Sequence, residues 1–355
     1  MVRRFLAVAL IGACATLSAQ EQSQIVQPTL TPQDSGTTNG LIAVSPVNPR
    51  VVWASGRAGT FVVTTDGGNT WRAGVVPGAE TLQFRDVEGV SAKVAYLQSI
   101  GANPTDFRIY KTVDGGATWT MQFQNQDPAA FYDCFAFWTP NRGISHSDSV
   151  NGVFPDLRIT DGTTWLDISS NMPPALPGEA SFAASGTCVA TQGGQNAWIA
   201  TGGTTIARVL ATGDGGDTWQ AYDTPLVSSP SAGAFTVAFR NPWAGIVGGG
   251  DLDPANPNGA ATATSGDGGV TWALTNPPPV TGAIFGLAYA HGVGNGNGSR
   301  TVVITANAGG AAWTPDEGTT WFTLPGVTGY WAVAFASPQA GWLVGTNGRI
   351  LKISF

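Results

Sequence analysis

Four acidic residues occupy positions from which paired carboxyl groups could carry out acid–base chemistry. Asp86 and Asp133 lie at the starts of apolar, strand-like runs, Glu179 precedes such a run, and Asp148 follows one. Glycoside hydrolysis requires two carboxyl groups that flank the sugar linkage. A protein with a net charge of −7 also carries acids in its loops without any catalytic role. These four residues are therefore catalytic candidates, and none of them is assigned to catalysis.

A binding mouth without turnover is the interpretation that we favour for the same region. Charged and aromatic residues occur together at the starts of the apolar runs, which suits a protein or a glycan ligand. The predicted binding residues are Arg85, Asp86, Tyr132, Asp133, Glu179, Tyr330 and Trp331. Ends of neighbouring strands add Arg57, His146, Asp148 and Asp251 to the same rim.

The elements that position these residues are set by a repeated turn. Its pattern is Ser/Thr-x-Asp-x-Gly-x-Thr-Trp, and a shortened copy lacks one glycine position. The carboxylate accepts hydrogen bonds within a tight turn, glycine adopts positive φ, and tryptophan begins the outgoing strand. Because the turn recurs once per unit, we assign its aspartates a structural role. These aspartates are Asp66, Asp114, Asp161, Asp214, Asp267 and Asp316.

The spacing of the turns predicts a repeat architecture. The closing tryptophans stand at 71, 119, 165, 219, 272 and 321, a period near 50 residues. Four short strands fit each period, so we predict an all-β, seven-bladed propeller with four-stranded antiparallel blades. The predicted inner strands are Phe84–Val90, Phe131–Trp138, Phe182–Val189, Phe235–Arg240, Phe285–Ala290 and Trp331–Ala336.

The two ends of the chain predict how the ring closes. The C-terminal segment matches only the first three strands of a unit and stops before any Asp turn. The segment Ile25–Leu30 lies where other units have their fourth strand, so we expect it to pair near Arg349–Ser354 and remove an open edge. Residues 21–355 should then form one propeller domain, which we expect to be monomeric.

Residues 1–20 resemble a secretory leader, with Arg3 and Arg4 before an apolar core and small residues near 19–20. A lipoprotein-like box ending at Cys14 is an alternative that leaves lipidation open. Export would make the protein periplasmic or secreted, with an envelope protein or glycan as partner. No later run is long and apolar enough for a transmembrane span. No basic run follows residue 4, which disfavours nucleic-acid binding.

The remaining cysteines and histidines predict neither a disulfide nor a metal site. Aligning the inner strands separates Cys134 and Cys188 by ~20 Å, so we expect two buried free thiols. The spacing of His146 and His291 from the two cysteines does not match that of the ligands in a zinc site. The loop 251–259 carries oxygen ligands and could hold calcium, but a solvated loop is the simpler interpretation. We expect no cofactor and no metal.

The repeats resemble the Asp-box, or bacterial neuraminidase repeat, superfamily over nearly all of the mature chain. The element Gly56-x-x-Gly59-x-x-x-x-Thr64-x-Asp66-Gly67-Gly68-x-Thr70-Trp71 is most similar to photosystem II stability/assembly factors and their bacterial relatives. That resemblance implies a seven-bladed propeller that binds a partner protein without catalysis. Similar repeats also occur in sialidases, xyloglucan hydrolases and sortilin-type receptors. The repeats also resemble WD40/YVTN-like repeats.

Two enzyme classes can be compared with the residues directly. Sialidases of this superfamily carry Arg-Ile-Pro on the first inner strand, where this chain has Gly40–Ser45 without arginine. Sialidase activity is therefore disfavoured, and a glycoside hydrolase or lyase is the alternative to a binding protein. An oxidoreductase would need a dinucleotide-binding loop or a redox-metal set, and the sequence has neither.

Overall fold

Seven four-stranded antiparallel sheets make up the part of the chain that the structure describes. The structure is a computed structural model that describes residues 27–253, 255–256, 259–290 and 299–355. Within each sheet the strands pair in chain order, with one exception in the last sheet. This arrangement confirms the predicted seven-bladed propeller. The leader, Cys14, His291 and part of the loop 251–259 lie outside the described residues.

The strand bounds follow the predicted period closely. Blades 1 to 3 are β2–β5 (Leu41–Pro46, Val52–Gly56, Thr60–Thr64, Arg72–Val75), β6–β9 (Gln83–Gly89, Ala95–Ile100, Arg108–Thr112, Thr120–Gln124) and β10–β13 (Tyr132–Thr139, Arg142–Ser147, Leu157–Ile159, Trp165–Asp167). Blades 4 to 6 are β14–β17 (Val189–Gln192, Asn196–Thr201, Arg208–Thr212, Gln220–Asp223), β18–β21 (Ala232–Phe239, Gly245–Asp251, Ala261–Ser265, Ala273–Leu274) and β22–β25 (Gly286–Tyr289, Val302–Thr305, Ala311–Thr314, Phe322–Thr323). Blade 7 is β26–β28 (Tyr330–Ser337, Ala340–Gly345, Ile350–Ser354) with β1 (Thr29–Gln33) as its fourth strand.

The ring closes as predicted, through the N-terminal strand. β1 pairs antiparallel with β28, with Leu30 opposite Ile353. The closing strand runs to Gln33, and Ile25 and Val26 lie outside the described residues. The Gln33 side-chain oxygen accepts hydrogen bonds from the indoles of Trp71 and Trp342, so it joins blades 1 and 7.

Asp turns and inner hairpins meet on one face of the propeller, the Asp-turn face. The first glycine of four turns donates its N–H to a carbonyl of the hairpin between the first two strands of the same blade, as Gly67 does to Arg50 at 2.9 Å. Gly162 in the shortened copy and Glu317 in the sixth unit do the same. Glu317 holds this position at a φ of 58°.

The core lies between blades, in seven apolar clusters. Each Asp-turn tryptophan packs into the interface with the preceding blade: Trp119, for example, packs on Trp53 and Phe61, with centroids 6.3 and 5.1 Å away. Blade 7 has no such tryptophan, and Leu30 and Phe355 contribute to the corresponding cluster. The turn motif therefore encodes interblade packing as well as the hairpin.

Blade 4 contains one wrong prediction. Its inner strand begins at Val189, not at Phe182, and residues 181–187 leave the sheet. In the observed register of blade 4, Cys188 lies beside Cys134, with a Cα–Cα distance of 6.0 Å, and the two cysteines form a disulfide. The expectation of two free thiols ~20 Å apart was wrong because it assumed that strand spacing continued through residues that are not a strand.

Candidate functional site

The segment that leaves blade 4, residues 181–187, crosses the central channel and is named here the crossing segment. Its residues are small or apolar and lack the alternation that would hold them in a sheet. Its hydrogen bonds reach blades 2, 3, 5 and 6: Arg85 Nη1 to the Ala183 carbonyl at 2.9 Å, Ser181 N–H to Asp148 at 2.9 Å, Thr187 with Thr236 at 2.8 Å, and Ser185 Oγ to the Phe285 carbonyl at 2.6 Å. The segment therefore closes the channel on the face opposite the Asp turns, the crossing face.

Asp86 lies beneath the crossing segment and joins two blades. Its carboxyl oxygens accept hydrogen bonds from the N–H groups of Val87 at 2.7 Å and Phe135 at 2.8 Å. Gly186 packs directly over it at a φ of 76°, and a Cβ there would lie 2.4 Å from Asp86 Oδ1. Burial raises the pKa of Asp86 well above its usual range. Asp86 is thus a buried contact between inner strands.

Asp133 and Asp148 form a close carboxyl pair at the blade 3 end of the segment. Burial raises the pKa of both groups, and the charge of Asp148 raises that of Asp133 further. The Ser181 N–H offsets part of this effect at Asp148. Oδ2 of Asp133 is buried and has no hydrogen-bond partner among the described residues. Two adjacent carboxyl groups in this environment favour a protonated member.

Glu179 is committed to an ion pair within blade 4. Its carboxylate is contacted by Arg208 through both Nε, at 2.9 Å, and Nη2. The Thr201 hydroxyl and the Leu176 N–H complete its hydrogen bonds at 2.7 and 2.8 Å. The side chain of Glu179 is fully buried, so this carboxylate anchors the link that enters the crossing segment.

Arg85 and Trp331 come together at the crossing face, next to a row of aromatic rings. The row consists of Phe182, Phe235, Phe285 and Trp331, with successive centroids 3.8, 5.9 and 5.0 Å apart. The Arg85 guanidinium lies 5.9 Å from the Trp331 ring centroid. Burial, and then the charge of Arg57, lower the pKa of Arg85 to about 10, which leaves it protonated at neutral pH. Apart from buried Phe235, these groups are half-buried and reachable from solvent.

The other predicted rim residues are dispersed. Tyr132 packs on Phe123 between blades 2 and 3, where burial raises the pKa of its hydroxyl. Tyr330 lies under Arg349, 5.1 Å from its guanidinium carbon. His146 is fully buried and contacts Asp156 at 2.9 Å. Asp251 accepts hydrogen bonds from Ser231 and from its own loop, including Asp253 N–H and Asn256.

A cavity of about 590 Å³ occupies the channel between the crossing segment and the Asp-turn face. Inner strands of all seven blades line it, and Ser185, Gly186 and Thr187 lie at its closed end. Pro46, Trp138 and Arg240, at the far ends of their strands, lie at its other end. Among the described residues, no group of three or more His, Cys, Asp or Glu side chains is arranged to hold a metal ion.

Sequence reasoning missed Phe182 and Phe285 and the path of the crossing segment. An aromatic residue recurs at the start of each predicted inner strand from Phe84 to Trp331, which is a usable signal for the aromatic row. The small-residue run Ala183-Ala184-Ser185-Gly186 was the corresponding signal that the strand was interrupted.

The fold and the repeated turns define the class of protein as a seven-bladed β-propeller. Among solved structures, the chain is similar to "YCF48 bound to D1 peptide", with a TM-score of 0.64 and 17% identity over 92% of this chain and 97% of that one. YCF48 from Cyanidioschyzon merolae matches with a TM-score of 0.64 and 16% identity, over 92% of this chain and 98% of that one.

A third structure widens the comparison beyond that group. The WD40 β-propeller domain of Doa1 matches with a TM-score of 0.57 and 10% identity, over 93% of this chain and 98% of that one. At these identities the similarities establish the shared fold. No protein-family model matches the sequence. A search of curated proteins finds no match either. The described segments contain no helix with the length and apolarity to cross a bilayer.

Proposed function

We propose that the protein is an exported, non-catalytic binding propeller that recognises a segment of an envelope protein at its crossing face. The observation that carries this proposal is the half-buried row of Phe182, Phe285 and Trp331 with Arg85 beside it. Aromatic rings and an arginine are the residues that most often anchor a protein ligand. A glycan is the alternative ligand for the same surface.

Two further observations support this function. A solved propeller of the same fold is described with a bound peptide, which shows that such a scaffold can present a peptide site. Three of the four candidate catalytic carboxyls accept hydrogen bonds or pair with a cation: Glu179 with Arg208, Asp86 with backbone N–H groups, and Asp148 with the Ser181 N–H.

Export has its own support. The leader-like residues 1–20 are consistent with secretion, and the Cys134–Cys188 disulfide suits an oxidising compartment. A fusion of residues 1–20 to an export reporter would test it. Cytoplasmic retention of the fusion would contradict the proposal.

The binding test is a capture from envelope extract with four proteins: wild type, two variants of the crossing face and one control variant. Wild type should retain one partner protein, and Arg85→Glu and Trp331→Ala should each weaken retention at least 10-fold. Arg50→Glu is the matched control, because it makes the same charge change at an exposed arginine on the Asp-turn face. Equal retention by Arg85→Glu and Arg50→Glu would contradict the assigned surface.

The enzyme alternative is tested with polysaccharides and aryl glycosides. We expect no turnover above background. Turnover that disappears in Asp133→Asn or Glu179→Gln, with folding intact, would replace the binding function with glycoside hydrolysis or lysis.

A further inference from the structure

Glu88 has an environment unlike that of the other glutamates in the inner part of the propeller. It lies on β6, two residues after Asp86, and lines the channel cavity on the Asp-turn side of the crossing segment. Among the described residues, no hydrogen bond or ion pair to its carboxyl is present, and burial is the only influence on its pKa. Glu179 and Glu317, by contrast, are each paired with arginine. Glu88 is therefore a carboxyl group without a partner, in a space large enough for a ligand.

The charged and titratable groups around Glu88 provide no cation for it. Asp86 precedes it on the same strand, and Tyr96 lies opposite on β7. At the cavity mouth, Arg240 is bound to Glu317 at 2.6 Å, and Tyr289 donates to the same carboxylate at 2.9 Å. Burial alone raises the pKa of Glu88 to about 8, and no cationic side chain counteracts it. The cavity thus offers Glu88 no free cationic side chain, because Arg240 in its lining is bound to Glu317.

We propose that this cavity is a second ligand site, which takes a small organic cation through a primary ammonium group held by Glu88. A cavity of about 590 Å³ lies within the usual range for small-ligand sites. An ammonium group supplies both the charge and the hydrogen-bond donors that Glu88 lacks. Ser45 and Thr191 line the same cavity and carry hydroxyl oxygens that can accept hydrogen bonds from a ligand. This site faces the Asp turns, so it is independent of the function proposed for the crossing face.

The test is calorimetric titration of the full chain at pH 7 with 1,5-diaminopentane. Wild type should bind it, and 1,5-pentanediol, which has the same length without charge, should bind at least 10-fold more weakly. Glu88→Gln should weaken diamine binding at least 10-fold. Glu80→Gln should leave it unchanged, because Glu80 is exposed and lies outside the cavity lining. Equal diamine affinity in wild type and Glu88→Gln, or no binding to wild type, would overturn the proposal.

A second measurement needs no variant. Because Glu88 is largely protonated at pH 7 and an ammonium group favours its carboxylate, binding should release protons. The apparent binding enthalpy should then change with the ionisation enthalpy of the buffer. The same heat in all buffers would contradict an ion pair with Glu88.

A lysine-containing peptide distinguishes the source of the ammonium group. If the ligand is a lysine side chain of a partner segment, the peptide should compete with the diamine, and an otherwise identical norleucine peptide should not. If only the free diamine binds, the site is for a small molecule. Either outcome supports an ammonium site. Loss of diamine binding and of peptide binding in Glu88→Gln would assign that site to Glu88.

Discussion

At the scale of single residues, burial and partners decide what each acidic side chain can do. Asp114 is exposed and Asp66 is half-buried, and hydrogen bonds from threonine lower the pKa of each to about 2. Burial instead raises the pKa of Asp86 and Asp133. Identical side chains therefore serve as charged turn anchors on one face and as buried inner-strand contacts on the other.

The Glu179–Arg208 pair gives the first residue-scale prediction. Arg208→Met should destabilise the fold by roughly 3–5 kcal/mol, because it leaves a buried carboxylate uncompensated. Urea unfolding measures the loss. The control is the double variant Arg208→Met with Glu179→Gln, which removes the charge and should recover part of the stability. A single variant as stable as wild type would contradict a structural role for Glu179.

At the scale of elements, the Asp turn is a self-contained unit. In the turn between the third and fourth strands of blade 2, Asp114 accepts a hydrogen bond from the Thr118 N–H at 2.9 Å. It also accepts hydrogen bonds from the hydroxyls of Thr112 and Thr118 at 2.8 and 2.6 Å. The shortened copy has a different arrangement, in which Asp161 accepts the N–H groups of Thr163 and Thr164, each at 2.8 Å.

This difference predicts unequal effects of the same substitution. Asp114→Ala should lower the melting temperature more than Asp161→Ala, because it removes an acceptor for more hydrogen bonds. Differential scanning calorimetry of both variants at pH 7 measures the comparison. Equal decreases in melting temperature would show that the shortened turn stabilises the fold as much as a complete turn does.

The closing strand β1 gives a second element-scale prediction. Deleting residues 21–31 removes Leu30 from the interface cluster and exposes the edge of β28, so we expect a lower melting temperature and aggregation. Deleting residues 21–26 leaves the described strand Thr29–Gln33 intact and is the control. An unchanged melting temperature in the longer deletion would mean that β1 does not stabilise the ring.

At the scale of the whole molecule, two sets of carboxyl groups contribute to the stability of the fold with opposite dependence on pH. The turn aspartates have pKa values below those of the unfolded chain, so their contribution is present above about pH 4 and is lost as pH falls towards 2. Asp86, Glu88, Asp133 and Asp148 have raised pKa values, so their contribution is present below about pH 4 and is lost as pH rises.

The balance predicts maximum stability at mildly acidic pH. Urea unfolding from pH 3 to pH 9 should give the highest free energy of unfolding near pH 4–5, with a decline on both sides. In Glu88→Gln the decline from pH 5 to pH 8 should become shallower by about 1 kcal/mol or more, since each pKa unit corresponds to about 1.4 kcal/mol. A maximum at pH 8, or a variant curve parallel to wild type, would contradict this assignment.

Much of the fold was determined by the sequence alone, because its signals are local. The Asp turn, its tryptophan and the strands around it lie within about 50 residues of chain and repeat, so blade number, strand order and ring closure by the N-terminal strand followed from spacing. Arg85 and Trp331, both predicted for the rim, lie together because both are near the starts of inner strands on the same face.

The tertiary structure decided how the channel is occupied. The crossing segment is held by residues from other blades, as Arg85 holds Ala183 and Phe285 holds Ser185 across about 100 positions of chain. No local pattern encodes such contacts. The alignment that placed Cys134 and Cys188 far apart assumed a continuous inner strand in blade 4, and that strand is interrupted. Burial is also decided by the folded structure. Glu179 forms its buried ion pair with Arg208 once blade 4 has folded, whereas the surroundings of Glu88 come from inner strands of all seven blades.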